Sequence, residues 1–173
     1  QSSRAEQQLE TVTAELHDAT QLVQMLDEQS DKVAQSSSLV HAKGIQVRTE
    51  GEPGVIATID GARIAQVLRN LVENAIANTP AGGTVTATLA AEDDLAVIRV
   101  TDTGNGIPEE HLQNVFERFY RVDPSRQRAT GGAGLGLAIV RDAAAYHGGR
   151  LTLENRKEGG LRAILALPRT LAN

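Results

Sequence analysis

The sequence predicts an α+β domain in which helices cover one face of a mostly antiparallel sheet. Three observations carry that expectation. Two pairs of short β-like runs, Thr84 to Ala90 with Leu95 to Asp102 and Leu151 to Asn155 with Leu161 to Leu167, are each joined by a tight turn. Stretches of helical period, from about Ala62 to about Asn78 and from about Leu135 to His147, lie between them. The length, 173 residues, suits one core plus an appendage and is short for two enzyme domains.

In chain order, residues 4 to 33 contain no Gly or Pro and place Leu9, Val12, Leu16, Ala19, Val23 and Leu26 at alternating steps of three and four. This seam needs a second helix to bury it, most simply its own copy in a homodimer, or else the globular part of the chain. Lys43 and Gly44 end the helix, so the expected division is a helical segment at 1–38 and a globular domain at 39–173. Ile45 to Thr49 and Val55 to Ile59 read as short strands around the turn Gly51, Glu52, Pro53, Gly54. On the following helix Ile64, Leu68, Leu71, Val72, Ala75 and Ile76 share an apolar face, and Pro80, Gly82 and Gly83 stop it. Val85, Ala87 and Leu89 point inward from the next strand, with threonines outward. Pro108 then opens a short helix from Glu109 to Val115.

Composition excludes several function classes. With 17 Lys+Arg against 22 Asp+Glu the net charge is -5, so no basic field draws the chain to nucleic acid. No apolar run approaches the ~18 residues of a membrane span. Zero Cys removes thiolate metal sites and Cys nucleophiles. The start at Gln1 suggests a fragment of something longer.

Four features carry chemistry. Asn70, Asn74 and Asn78, spaced by four, stack along one side of their helix with Glu73 beside them; amide oxygens are hard ligands suited to Mg²⁺, although a solvated face gives the same pattern. Asp102 shares a strand face with Ile98 and Val100, which puts a carboxylate on the apolar side where it needs a donor. A purine amine approaching past Gly104 and Gly106 would serve, and so would an Asx turn. The glycine run Gly131, Gly132, Gly134 and Gly136 opens a helix without Rossmann or Walker spacing, and reads as a phosphate site or a hinge. Phe116, Phe119 and Tyr120 lie beside Arg118 and Arg121, as a mobile lid or an ordinary hydrophobic cluster.

Together, Asn70-Leu71-Val72-Glu73-Asn74-Ala75, Asp102-Thr103-Gly104-Asn105-Gly106-Ile107, Phe116-Glu117-Arg118-Phe119-Tyr120-Arg121 and Gly132-Ala133-Gly134-Leu135-Gly136-Leu137 resemble, in order and spacing, the N, G1, F and G2 boxes of sensor histidine kinases. The resemblance covers residues 40 to 168 and implies the Bergerat ATP-binding fold: a two-layer α/β sandwich whose five-stranded mixed sheet is covered by three helices. It implies Asn74 as Mg²⁺ ligand, Asp102 as adenine hook, Arg121 as γ-phosphate contact, and Gly132, Gly134 and Gly136 as lid hinge. Asn70, Asn78, Gly104, Gly106, Ile107, Tyr120, Leu135 and Leu137 complete the implied ATP pocket, and Asn70, Glu73 and Arg121 the implied catalytic set. The family's basic residue and aromatic are replaced by Ala77 and Asn78.

Hydrolytic relatives of this fold place a Glu where this chain has Asn70, and an amide cannot take a proton from water. Glu73 points ~100° around the helix from Asn74. The resemblance therefore implies transfer of the γ-phosphoryl group from Mg-ATP to a histidine, rather than an ATPase driving conformational change or a non-catalytic adaptor. No acceptor box is present, and His17 is too close to Asn70 for a hairpin to intervene, so the acceptor domain is expected elsewhere in the parent protein or on another chain. A downstream response regulator and a cytoplasmic location, as part of a membrane-anchored sensor or alone, complete the expectation.

Overall fold

The computed structural model describes residues 3–10, 22–112, 114–116 and 136–169. Residues 3–10 are helical, and the globular part begins with α1 (Leu22–Ser36) and α2 (Ser38–Lys43). Ser37 caps α2 by accepting the Val40 N–H, and Gly44 ends it in the left-handed region at φ 64°, which costs glycine nothing. Then follow β1 (Gln46–Gly51), α3 (Gly61–Asn78), β2 (Thr84–Glu92), β3 (Leu95–Asp102), 3₁₀ turns at Glu109–His111 and Asn114–Phe116, α4 (Gly136–Tyr146), β4 (Arg150–Asn155) and β5 (Leu161–Pro168).

The five strands are ordered β1-β2-β3-β5-β4. β1 runs parallel to β2, and the other neighbours are antiparallel, with Ala87 opposite Val100 and Val100 opposite Ala163. β2 alternates half-buried threonines with the buried Val85, Ala87 and Leu89. Those inward residues meet Ile98, Leu165 and Leu167 of the sheet and Ile64, Leu68, Leu71 and Val72 of α3 in one core. α3 is the central helix, packed between α1 and α4. Asp60 caps it by accepting the Arg63 N–H, and Lys43 donates to the Thr79 carbonyl at 3.0 Å beyond its last turn. Among the described residues no helix is long and apolar enough to cross a membrane.

The structure departs from the sequence expectations at three places. Val55 to Ile59 is not a strand; Val55, Ile56 and Ala57 are buried at 6% exposure or less, so their apolar run serves burial where the chain returns from β1 to α3. The helix expected from Glu109 to Val115 is replaced by the two 3₁₀ turns, because among its described residues only Val115 is buried and so short a segment gains too little packing to nucleate an α-helix. In place of the homodimer partner expected first, the end of the N-terminal seam packs within the chain: its Leu26 is 0% exposed, beside Leu22 at 0% and Val33 at 3%, on the core that α3 and β1 build. Leu9, by contrast, is 67% exposed.

Truncating Leu26 to Ala is therefore expected to cost about 2 to 5 kcal/mol in urea unfolding, independent of protein concentration. Leu9→Ala should stay within about 0.5 kcal/mol.

Candidate functional site

The C-terminal ends of β3 and α3 meet at the site. Asp102, last residue of β3, is 2% exposed, as its shared face with Ile98 and Val100 predicts. Its Oδ1 accepts two backbone N–H groups, from Gly104 at 2.8 Å and from Leu161 at 3.1 Å. The first is the Asx turn that the sequence allowed, the second a tie to β5, and together they commit Oδ1. Burial raises the carboxyl above the ordinary Asp value; the Gly104 and Leu161 hydrogen bonds and the Arg156 charge oppose that shift without cancelling it. A carboxylate held this way is costly to the fold.

Gly104 and Gly106 turn out to make room for the protein itself. A Cβ on Gly104 would overlap the Asn78 carbonyl oxygen, and one on Gly106, at φ 73°, would overlap Asn155 Oδ1. Their missing side chains let the Asp102 loop close against α3 and β4. Ile107 follows, half-buried, with its N–H and carbonyl both bonded to Asn155.

On α3 the asparagine row lies where its spacing put it. Asn70 and Asn74 are half-buried, and Asn78 is exposed at the end beside the Asp102 loop. Asn70 Nδ2 is buried with no hydrogen-bond partner among the described residues, a donor held ready at a cost of about 1 to 3 kcal/mol. Glu73 is exposed and lines a groove of about 340 Å³ with Ser36, Ser37, Ser38, Ile76 and Ala77, on the side of α3 that faces the end of α1. At its other end α3 is tied to α4. His147 Nε2 accepts the Asp60 N–H at 2.9 Å while Nδ1 lies 2.7 Å from the Ala143 carbonyl, which assigns a neutral ring with the proton on Nδ1. Arg63 stacks over Tyr146, 4.1 Å from the ring centroid.

Gly136 begins α4, and Leu137 packs partly buried against the core. Phe116 has the Arg141 guanidinium 5.8 Å from its ring centroid. Phe119, Tyr120, Arg121, Gly132, Gly134 and Leu135 lie outside the described residues.

Residues 59–171 match the family described as histidine kinase-, DNA gyrase B- and HSP90-like ATPase. The chain belongs to this family. Among relatives, the signal transduction histidine-protein kinase AfsQ2 of Streptomyces coelicolor is 44% identical over 122 residues, 70% of this chain and 22% of its own length. Among solved structures, the catalytic domain of histidine kinase ThkA superposes with a TM-score of 0.74 at 30% identity, covering 86% of this chain and 93% of that one. Full-length ShkA in complex with AMPPNP gives 0.73 at 27% identity, covering 89% and 31%. This is the catalytic ATP-binding domain of a sensor histidine kinase in the Bergerat fold. It spans about a fifth of the length of AfsQ2.

In this kinase domain the residues missed by sequence reasoning lie on the β4–β5 hairpin: Asn155, Arg156 and the Leu161 N–H. The glycine pair at its turn was the one available signal. Gly160 has φ 98°, and a Cβ there would overlap the Asp102 carbonyl oxygen.

Asp102→Asn keeps an Oδ1 acceptor for both backbone donors and removes the buried charge. Because the native carboxyl holds its proton more tightly than the unfolded one, the parent loses stability as pH rises from the ordinary Asp range through the raised native value. The variant lacks that loss, so its stability relative to the parent should increase from pH 3 to pH 7. Urea unfolding of the two proteins across that range checks the sign.

Proposed function

We propose that this domain binds Mg-ATP between the asparagine side of α3 and the Asp102 loop and delivers the γ-phosphoryl group to a histidine outside it. The observation that carries the reading is the pairing of a buried carboxylate whose Oδ1 is already committed with an unpartnered amide, Asn70 Nδ2, on the helix that ends beside it. Asp102 Oδ2 accepts from the exocyclic amine of adenine, and Ile107 packs near the base. Asn70 Nδ2 donates to a phosphate oxygen.

The donor set fits Mg²⁺. Among the described residues no three acidic, His or Cys side chains gather to cage an ion. Amide oxygens on α3, Asn74 first, would supply one or two hard ligands and leave the others to phosphate and water. When bound, the ion would neutralise charge on the phosphates. Asn70 and Asn74 orient the phosphate chain, with Asn78 at the entrance. The family resemblance assigns Arg121 the γ-phosphate contact, Gly132, Gly134 and Gly136 the lid hinge, and Tyr120, Leu135 and Leu137 to the nucleotide pocket. An incoming imidazole nitrogen then forms the N–P bond as the bond to the bridging oxygen breaks and ADP leaves. Asn70 cannot act as a base toward water, which favours transfer over hydrolysis. Glu73, the remaining member of the implied catalytic set, is exposed on the groove beside α1.

The acceptor is a His-bearing helical domain of the parent protein or of a second chain, a response regulator receives the phosphoryl group from it, and residues 4–33 contribute to self-association. The setting is cytoplasmic, beneath a membrane-anchored sensor or free. One observation favours a second reading, an adaptor that keeps the fold without binding ATP: Ala77 and Asn78 replace a phosphate cation and a stacking ring, a loss of about 1 to 3 kcal/mol if one charge-assisted bond sets the scale.

Calorimetric titration with Mg-ATP should show binding by the parent that Asp102→Asn weakens at least tenfold. No binding by the parent would favour the adaptor. With γ-labelled ATP and His-bearing helical hairpins, the expected product carries acid-labile, alkali-stable label. Sustained phosphate release without an acceptor would overturn transfer in favour of an ATPase.

A further inference from the structure

We infer that Asn155 is a positioning residue that fixes the nucleobase-binding loop from outside the four sequence boxes. The inference rests on the ATP-binding reading above. Asn155 ends β4, and its amide clasps one residue of the loop twice: Nδ2 donates to the Ile107 carbonyl at 2.6 Å, and Oδ1 accepts the Ile107 N–H at 2.9 Å. That is the hydrogen-bond pattern of a neighbouring strand supplied by one side chain, at a place where β3 has ended and, among the described residues, no strand pairs with the loop. Gly106, with φ 73°, is the position at which any Cβ would strike this same Oδ1, so loop and clasp fit only one way.

The rest of the hairpin holds the start of the loop. Leu161 donates to Asp102 Oδ1, and Arg156 Nη1 donates to the Asp102 carbonyl at 3.2 Å. The Arg156 N–H bonds to the Gly160 carbonyl at 2.9 Å and closes the turn between them. The hairpin therefore grips the loop at Asp102 and again at Ile107. Gly104 meanwhile presses on the Asn78 carbonyl. Removing the distal grip frees Ile107 and the approach to the base while the Asp102 contacts persist. The penalty should then fall on the base and not on the phosphates.

The test compares the parent chain, Asn155→Ala and Asn155→Gln. Each is titrated with Mg-ATP and with Mg-tripolyphosphate, which has the phosphates and no base, and hydrogen exchange is followed at the Ile107 amide without ligand. Asn155→Ala should weaken ATP about tenfold, leave tripolyphosphate within twofold and speed Ile107 exchange at least tenfold. Asn155→Gln, which retains both bonding atoms, should recover part of the ATP affinity. Equal losses for the two ligands, or no loss for ATP, would overturn positioning. Unchanged Ile107 exchange would overturn the clasp itself, whatever the nucleotide data. If the parent binds no ATP, the functional reading fails and takes the positioning role with it, and the exchange rates then show separately whether the clasp exists.

Discussion

A carboxylate buried at the end of a strand is the constraint around which this domain is arranged. Asp102 is 2% exposed and would be untenable there without donors. Two peptide N–H groups reach the same oxygen, one from the loop that follows and one from β5 across the sheet. To bring them there the chain must turn immediately after β3, press Gly104 on the end of α3 and run the β4–β5 turn through Gly160 at φ 98°. Much of the glycine placement at this end of the molecule follows from keeping one charged group indoors.

The same arrangement explains why the site is divided between rigid parts. α3 is anchored along its length by the core, at its start by the hydrogen bond from Asp60 to His147, and at its end by Lys43. Its asparagines are therefore presented on a fixed rod. The Asp102 loop has no strand partner beyond β3 and is held instead by side chains and backbone of a hairpin remote in sequence. Precision along α3 comes from packing, and in the Asp102 loop from hydrogen bonds.

Much of this was legible from residue order. Period-two burial in β2 and β3, the stop signals at Pro80 and Gly148 and the burial of Asp102 followed from local pattern, because one face of the sheet and one stripe of each helix are apolar. Val55 to Ile59 misled because an apolar run signals burial and is silent on pairing. Leu26 left its partner open because a seam of threes and fours names none, and α3 fits as well as a second copy. Asn155 was invisible for another reason. Its role lies in a pairing with Ile107 across 48 positions, and nothing near it in the chain distinguishes it from any asparagine at a strand end.

The strand order has a consequence for how this domain behaves when crowded. β1 and β4 form the two margins of the sheet, each with one side of its backbone unpaired. Unpaired margins invite strand addition by neighbouring molecules and growth into fibrils. Here the first margin carries Arg48 and Glu50 and the second Arg150 and Glu154, with Arg162 donating to Glu154 at 3.1 Å. A strand aligning on either edge would have to bury formal charges of both signs, so the domain guards itself against ordered aggregation.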